Sequence, residues 1–320
     1  MLSIVDKLPP IQKDHMKRIQ TEIQQEEELL IQVASKTLPG QNHKKKQKIN
    51  QDCLAIKKNM CNQNDWHFFG IFDGHGQSGH LVSQFVSRHM IKVIENQLVQ
   101  NNANNPNYFS QSLQIAFQQV ENDLVDKTNI ACNFSGSTGV VILLIGSRIY
   151  CANIGDSRAV FFYKSQDLWY NRPLSYDHKP NKTFEYKRIM KFGGRVEQSL
   201  IDGKRLGPYR VWLANEDVPG LAMSRSFGDM AAKSVGVIAD PEILRYKIQN
   251  NGFILLASDG LWDKMDFESV QKIIDQLDPP FTQLDIDLGV QKILGETYQK
   301  WDQNDGSRDD ITLILVHVQI

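Results

Sequence analysis

Aspartates recur where apolar runs stop. Asp52 opens DCLAIKK, Asp73 closes WHFFGIF, and Asp156 follows IYCANIG. Asp259 follows GFILLAS with Asp263 four residues on, and Asp309 and Asp310 immediately precede ITLILV. Any one of these acids alone reads as a turn or helix-cap residue, because a short carboxylate accepts backbone N–H bonds at such places. Together, at the ends of several buried strands, they concentrate negative charge in a partly desolvated cleft, which is costly unless cations compensate it. The donors are all oxygens and no His/Cys spacing of a zinc site occurs, so hard octahedral ions, Mg²⁺ or Mn²⁺, are favoured. The glycines after Asp73 and Asp259 let backbone approach a metal or a phosphate closely, and Gly74 could lend its carbonyl. Two such ions on one bridging carboxylate would generate hydroxide at neutral pH and clamp the oxygens of an in-line phosphoryl displacement.

Hydrophobic rhythm indicates the elements that must position these acids. DCLAIKK and WHFFGIF read as strands, and residues 78–100 and 107–127 as helices. Val82, Phe85, Val86, Met90 and Val93 line one face of the first helix, and Leu113, Phe117, Val120 and Leu124 one face of the second. Three strands follow, TGVVILLIG, RIYCANIG and RAVFFYK, with short links at Gly146-Ser147 and Gly155-Asp156-Ser157 that suggest hairpins. GFILLAS, a helix over 284–302 and ITLILVHV complete the pattern. Strands in meanders with paired helices inserted argue for antiparallel sheets covered by helices, and against a doubly wound parallel sheet. There is no internal repeat. Residues 11–36 read as a separate helix, with Met16, Ile19, Ile23, Leu30 and Val33 near one face and Glu26 and Glu27 interrupting it. Leu38-Pro39-Gly40 ends it, so residues 1–40 are expected to be a helical extension that docks on the main domain or, as the lesser alternative, dimerises; residues 41–320 form the main domain.

Composition narrows the class. With 36 Lys+Arg against 37 Asp+Glu the net charge is −1, so no global field recruits nucleic acid or an anionic membrane. No apolar run approaches the roughly 20 residues that cross a bilayer. The start, MLSIVDKLPPIQKDH, has no signal-peptide core, and Leu2 leaves no glycine for myristoylation. Cys53, Cys61, Cys132 and Cys151 lack Cys-x-x-Cys spacing, which points to buried thiols in a reducing compartment. A cytoplasmic protein is expected, nuclear if the basic run HKKKQK acts as an import signal.

The segments INQD, FGIFDGHG, SGSTGVV, CANIGDSRAV, LSYDHKP, RIMKFGGRV, GLAMSRSFGD, GVIADPEI, LLASDGLWD and SRDDITLILV are similar, in order, to the motifs of the metal-dependent protein serine/threonine phosphatases of type 2C. The resemblance runs from about residue 48 to 318. It implies an α+β fold, an αββα sandwich of two antiparallel sheets flanked by antiparallel helix pairs. It also implies two Mg²⁺ or Mn²⁺ ions and phosphoprotein substrates carrying phosphoserine or phosphothreonine. Carried over by position, Asp73 would bridge the ions, Gly74 would complete the first through its carbonyl, and Asp259 and Asp309 would hold the second. Asp52 would act through metal-bound water, Asp156 and Asp263 match a third, weaker metal site of some relatives, and His75 matches the candidate general acid.

Several positions depart from that pattern. An arginine that grips phosphate in many relatives is replaced by Lys44, Lys45, Lys46 and Lys48 around Gln47. Lysine binds phosphate as a point charge without the bidentate fork; Lys46 or Lys48 is the expected contact, against the plainer reading of a solvated loop. Asp310 stands where Asn is common and either tightens the second ion or faces solvent; Gln51 stands where some relatives have Glu. SGSTGVV reads as scaffolding, His67 and His178 as ordinary histidines, and Asp229 in SFGD has no kinase context. Residues 197–219 correspond to a variable flap linked to substrate choice in the family, with Tyr209, Arg210 and Trp212 expected to pack its base. An active monomeric phosphatase is the first reading. A catalytically silent adaptor of the same fold and a hydrolase of small phosphate esters are its rivals; the presence of Asp73, Asp259 and Asp309 weighs against the adaptor.

Overall fold

The computed structural model describes residues 29–100, 107–277, 279–303 and 307–320. Its strands are β1 (Leu30–Leu38), β2 (Asp52–Lys57), β3 (Trp66–His75), β4 (Gly136–Ser137) and β5 (Gly139–Ile145). They continue with β6 (Arg148–Ile154), β7 (Arg158–Ser165), β8 (Leu168–Pro173), β9 (Arg195–Ile201) and β10 (Lys204–Trp212). The last are β11 (Pro219–Leu221), β12 (Phe227–Gly228), β13 (Glu242–Lys247), β14 (Gly252–Ala257) and β15 (Ile311–Gln319). The helices are α1 (Gly79–Gln100), α2 (Tyr108–Lys127), α3 (Thr183–Lys191), α4 (Met230–Lys233), α5 (Asp259–Trp262), α6 (Phe267–Ile274) and α7 (Gln283–Asp302). One sheet runs β1-β15-β14-β7-β8; the second runs β12-β4-β3-β5-β6-β13, with β2 also on β3; β11-β10-β9 is a small third sheet. The ladders are antiparallel throughout.

Side chains alternate across each strand with a period of two, and in the central strands both faces are buried. In β3, Phe68 and Phe72 join the helix-side core with Val82, Val86, Leu113 and Phe117, while Phe69 and Ile71 join the core between the sheets. In β14, Phe253 and Leu255 meet the second helical layer, with Val270, Ile286 and Ile293, while Ile254 and Leu256 turn inward. Three apolar layers therefore stack as helices, sheet, sheet, helices: the expected αββα sandwich. All four cysteines are free, with Cys61 and Cys151 buried.

Two expectations give way. The helix read over residues 11–36 falls partly on residues 1–28, outside the described residues, and from Leu30 onward it is wrong. Leu30–Leu38 is a strand at the edge of the first sheet, paired with β15 from Leu30↔Gln319 to Leu38↔Ile311. Ile31 and Val33 pack toward the inter-sheet core, while Ala34 and Leu38 pack toward the helices. The alternation of Ile31 and Val33 is the operative signal, and the helical spacing of Leu30 and Val33 masks it, since Leu30 is exposed on the other face. The expected boundary at residue 40 thus cuts behind a strand of the sandwich. The second correction concerns Gly155-Asp156-Ser157, which is no hairpin: β6 belongs to the second sheet and β7 to the first. A glycine-containing link of this length reads as a hairpin in sequence, and only the pairing partners show a crossover. Deleting residues 1–38 removes nine residues of ladder and bares the edge of β15. We expect insoluble protein, or a melting temperature lowered by at least roughly 10 °C, read by solubility and thermal denaturation; an unchanged melting temperature would show β1 to be dispensable.

Candidate metal centre

Strand register brings the acids to one end of the sandwich. Asp52 faces Asp73 directly across β2–β3. β14 ends at Ala257 opposite Leu313, so Asp259 at the start of α5 and Asp309 just before β15 leave the same edge. The β6–β7 crossover sets Asp156 between the sheets. Asp73 lies in side-chain contact with Asp52 and with Asp259. Asp259 in turn senses the charges of Asp156, Asp309 and Asp263. Asp52 and Asp156 are buried; Asp73, Asp259 and Asp309 are half-buried, and Asp263 is exposed at the rim.

The backbone beneath is tightly held. The Asp73 N–H donates to Thr138 Oγ1 at 3.0 Å, the Thr138 N–H donates to the Asp73 carbonyl at 2.8 Å, and Thr138 Oγ1 lies 2.7 Å from Ser157 Oγ. The SGSTGVV motif is therefore scaffolding, with Thr138 fixing the metal-site strand. The Gly74 N–H donates to the Gln51 carbonyl at 3.1 Å. A side chain at Gly74 would collide with the carbonyl oxygens of Gln51 and Gly79, so the close approach of β3 to α1 requires glycine. Asp310 neither faces solvent nor stands free to meet an ion. It is buried, and its carboxylate accepts the Gly40 N–H at 2.6 Å and the Gln51 N–H at 2.9 Å, tying the end of β1 to the start of β2.

Burial and mutual repulsion push these carboxyls toward the protonated form. Desolvation raises Asp52 to about 7, partly offset by the Ser258 hydroxyl that donates to its Oδ2 at 2.7 Å. Asp73 and Asp259 are raised well above the usual carboxylate range, first by desolvation and then by neighbouring acids. Asp263, though at the rim, is also raised, first by partial desolvation of its carboxyl and then by Asp156, with Lys179 opposing. Among the described residues no three His, Cys, Asp or Glu groups have closed into a ready-made ion cage. The donor set nevertheless fits a hard cation. Asp52 Oδ1 and Asp156 Oδ1 are buried and accept from no donor among the described residues, and such atoms are costly without a partner.

The sign of the Asp52 effect makes a test. A folded-state value near 7, against about 4 when unfolded, means ionisation costs stability in metal-free protein as pH rises through 7. Asp52→Asn, in chelator, should match wild type near pH 4 and melt a few degrees higher at pH 8. Equal melting temperatures at both pH values would contradict this placement of Asp52.

Of the two lysines, only Lys48 reaches the acids: its Nζ lies 2.9 Å from Asp309 Oδ1. Burial alone would lower the Lys48 value, but the hydrogen bond and charge of Asp309, with Asp310 and Asp73, raise it. Lys46 is exposed, and its backbone closes the 42–46 turn on Asn42. Sequence reasoning missed Lys179, whose Nζ lies 2.5 Å from Asp156 Oδ2. It also missed Asp229, whose Oδ2 lies 2.7 Å from His75 Nε2. His178 is no ordinary loop histidine: it is buried, and its Nδ1 accepts the Gly155 N–H at 3.2 Å, holding the loop that carries Asp156. His67 is buried too, which lowers it to about 4.

Comparison with known proteins gives the same direction. The profile described as Protein phosphatase 2C matches residues 38–278. A relative from Arabidopsis thaliana, "Probable protein phosphatase 2C 35", is 32% identical over 288 residues, covering 85% of this chain and 79% of its own. "Probable protein phosphatase 2C 64" from Oryza sativa subsp. japonica is 35% identical over 230 residues, covering 71% of this chain and 53% of its own. The chain thus spans between about half and four fifths of these relatives. In fold it is similar to the crystal structure of a serine-threonine phosphatase 2C from Toxoplasma gondii, with a TM-score of 0.74 and 22% identity, covering 90% of this chain and 95% of that one.

Proposed function

This chain belongs to the protein phosphatase 2C family, whose members are metal-dependent protein serine/threonine phosphatases, and from that premise we propose that it hydrolyses phosphoserine and phosphothreonine on proteins with two Mg²⁺ or Mn²⁺ ions. The observation that carries the reading is the convergence of Asp52, Asp73, Asp259 and Asp309 at one sandwich end, with the buried Asp52 Oδ1 and Asp156 Oδ1 left without a donor among the described residues. Asp73, the Gly74 carbonyl, Asp259 and Asp309 would hold the two ions, with Asp52 acting through water; Asp156 and Asp263 would hold a third. When bound, such ions neutralise charge and lower the pKa of water, supplying a nucleophile near neutral pH.

The chain's own groups do the rest. The strand ends hold the carboxylates still, so little reorganisation accompanies substrate binding. Lys48, at the edge of the acid cluster, offers a cation to a phosphate oxygen in exchange for its contact with Asp309. His75 donates a proton to the departing serine or threonine oxygen, a poor leaving group without one. The purified protein should release phosphate from phosphoserine peptides in Mn²⁺ with kcat/KM well above that for a small ester such as glycerol phosphate. Hydrolysis of the ester alone would make it a small-ester hydrolase; release from neither would make it a silent adaptor.

A further inference from the structure

Asp229 ends the motif SFGD and has no place in the ion-binding set. It is buried, and its Oδ2 lies 2.7 Å from His75 Nε2. The other ring nitrogen, His75 Nδ1, is shielded from water and has no hydrogen-bond partner among the described residues. We propose that Asp229 is the positioning residue for His75: it holds the Nε2–H of the doubly protonated ring and so makes Nδ1 the atom that hands its proton to the leaving oxygen. The proposal deepens the phosphatase reading and rests on it.

The surrounding structure is built around this contact. Ser226 Oγ donates to Asp229 Oδ2 at 2.6 Å, and the Asp229 N–H donates to the Ser135 carbonyl at 3.0 Å. Asp229 takes a left-handed backbone, φ 52° and ψ 46°, uncommon for a residue with a side chain. Gly136 is paired with His75 across β3–β4 and with Gly228 across β12–β4. A side chain at Gly136 would collide with the Asp229 carboxylate and with the Phe227 carbonyl, so glycine there lets the carboxylate and the neighbouring strand lie close beside His75. Behind it, Lys233 Nζ donates to the Ser226 carbonyl at 2.8 Å and pairs with Glu121 at 2.6 Å, and the Gly228 N–H donates to Glu121 at 3.0 Å.

An imidazole that must give a proton at one nitrogen works best when the other is fixed by a third group. As the water oxygen bonds to phosphorus, the P–O bond to the serine breaks and its electron pair stays on serine Oγ. The Nδ1 proton moves onto that oxygen. One proton of the water remains on the phosphate and the other returns the imidazole to its starting state. Asp229 keeps the Nε2 proton throughout and is not itself consumed.

The test uses full-length Asp229→Asn, which keeps the size of the side chain and an acceptor for Ser226. Ser226→Ala, which removes the hydroxyl that holds the Asp229 carboxylate while leaving Asp229 in the chain, serves with a smaller expected loss in the same direction if the first variant does not fold. With saturating Mn²⁺, turnover of a phosphoserine peptide should fall about 10²-fold, while turnover of nitrophenyl phosphate should stay within about threefold, because nitrophenolate leaves without a proton. In the Mg²⁺ form, at a pH high enough to deprotonate the ring, ¹⁵N resonances of His75 should show that Nδ1 has lost its proton, leaving the Nε2–H tautomer in wild type and a mixture in the variant. Equal losses on both substrates, or an unchanged tautomer, would overturn the proposal. A phosphatase reading that is itself wrong shows differently: wild type then releases no phosphate from the phosphoserine peptide in Mn²⁺. Failure of the present proposal shows as a separation by His75→Ala that Asp229→Asn does not reproduce.

Discussion

Asp73→Asn should abolish turnover of phosphopeptides, by about 10³-fold or more, while leaving the protein folded. The carboxylate is flanked by Asp52 and Asp259, so replacing it removes the shared charge around which the other ligands are arranged. The backbone contacts that hold it, from its N–H to Thr138 Oγ1 and from the Thr138 N–H to its carbonyl, do not involve the substituted atoms. In chelator the variant should melt no lower than wild type, since an amide relieves the repulsion that raises the neighbouring carboxyls. Phosphate release, circular dichroism and Mn²⁺ titration of the same preparation check the three parts. Retained turnover with Mn²⁺ would remove Asp73 from the centre.

His75→Ala should separate substrates by their leaving groups. General-acid assistance is typically worth roughly 10²–10⁴-fold where the leaving group needs it. Serine and threonine alkoxides need it and nitrophenolate does not. Turnover of phosphoserine peptides should therefore fall by about 10²-fold or more, with that of nitrophenyl phosphate little changed at saturating Mn²⁺. The ring is half-buried and touches the buried Asp229. A purely structural histidine would lower both activities together, and the proton would then have to come from water.

The acids were legible in sequence because each sits where an apolar strand stops, and strand ends are marked by a change of residue type at a single position. Asp73 after FFGIF and Asp259 after FILLA are such places. The helix-side and inter-sheet cores were legible as unbroken apolar strands for the same reason. Long-range partnerships left no such mark. β1 was misread because Leu30 and Val33 fall at helical spacing, which hides the alternation of Ile31 and Val33, and its partner β15 lies at the other end of the chain. The crossover at Gly155 looked like a hairpin because local turn chemistry does not specify which sheet the next strand joins. Asp310 holding Gly40 and Gln51, Lys179 on Asp156, and Asp229 on His75 all join residues remote in sequence. Lys48 and Lys46 are chemically alike, and only the path of the 42–46 turn directs one of them to Asp309.

Mn²⁺ titration of chelator-stripped protein, with phosphate release from a phosphoserine peptide measured on the same samples, tests the central claim most directly. Stripped wild type should release no phosphate, and turnover should return as two ions bind per chain. Asp73→Asn should fail to bind the pair and remain inactive. Full turnover by stripped wild type, or undiminished binding of both ions by Asp73→Asn, would contradict the account.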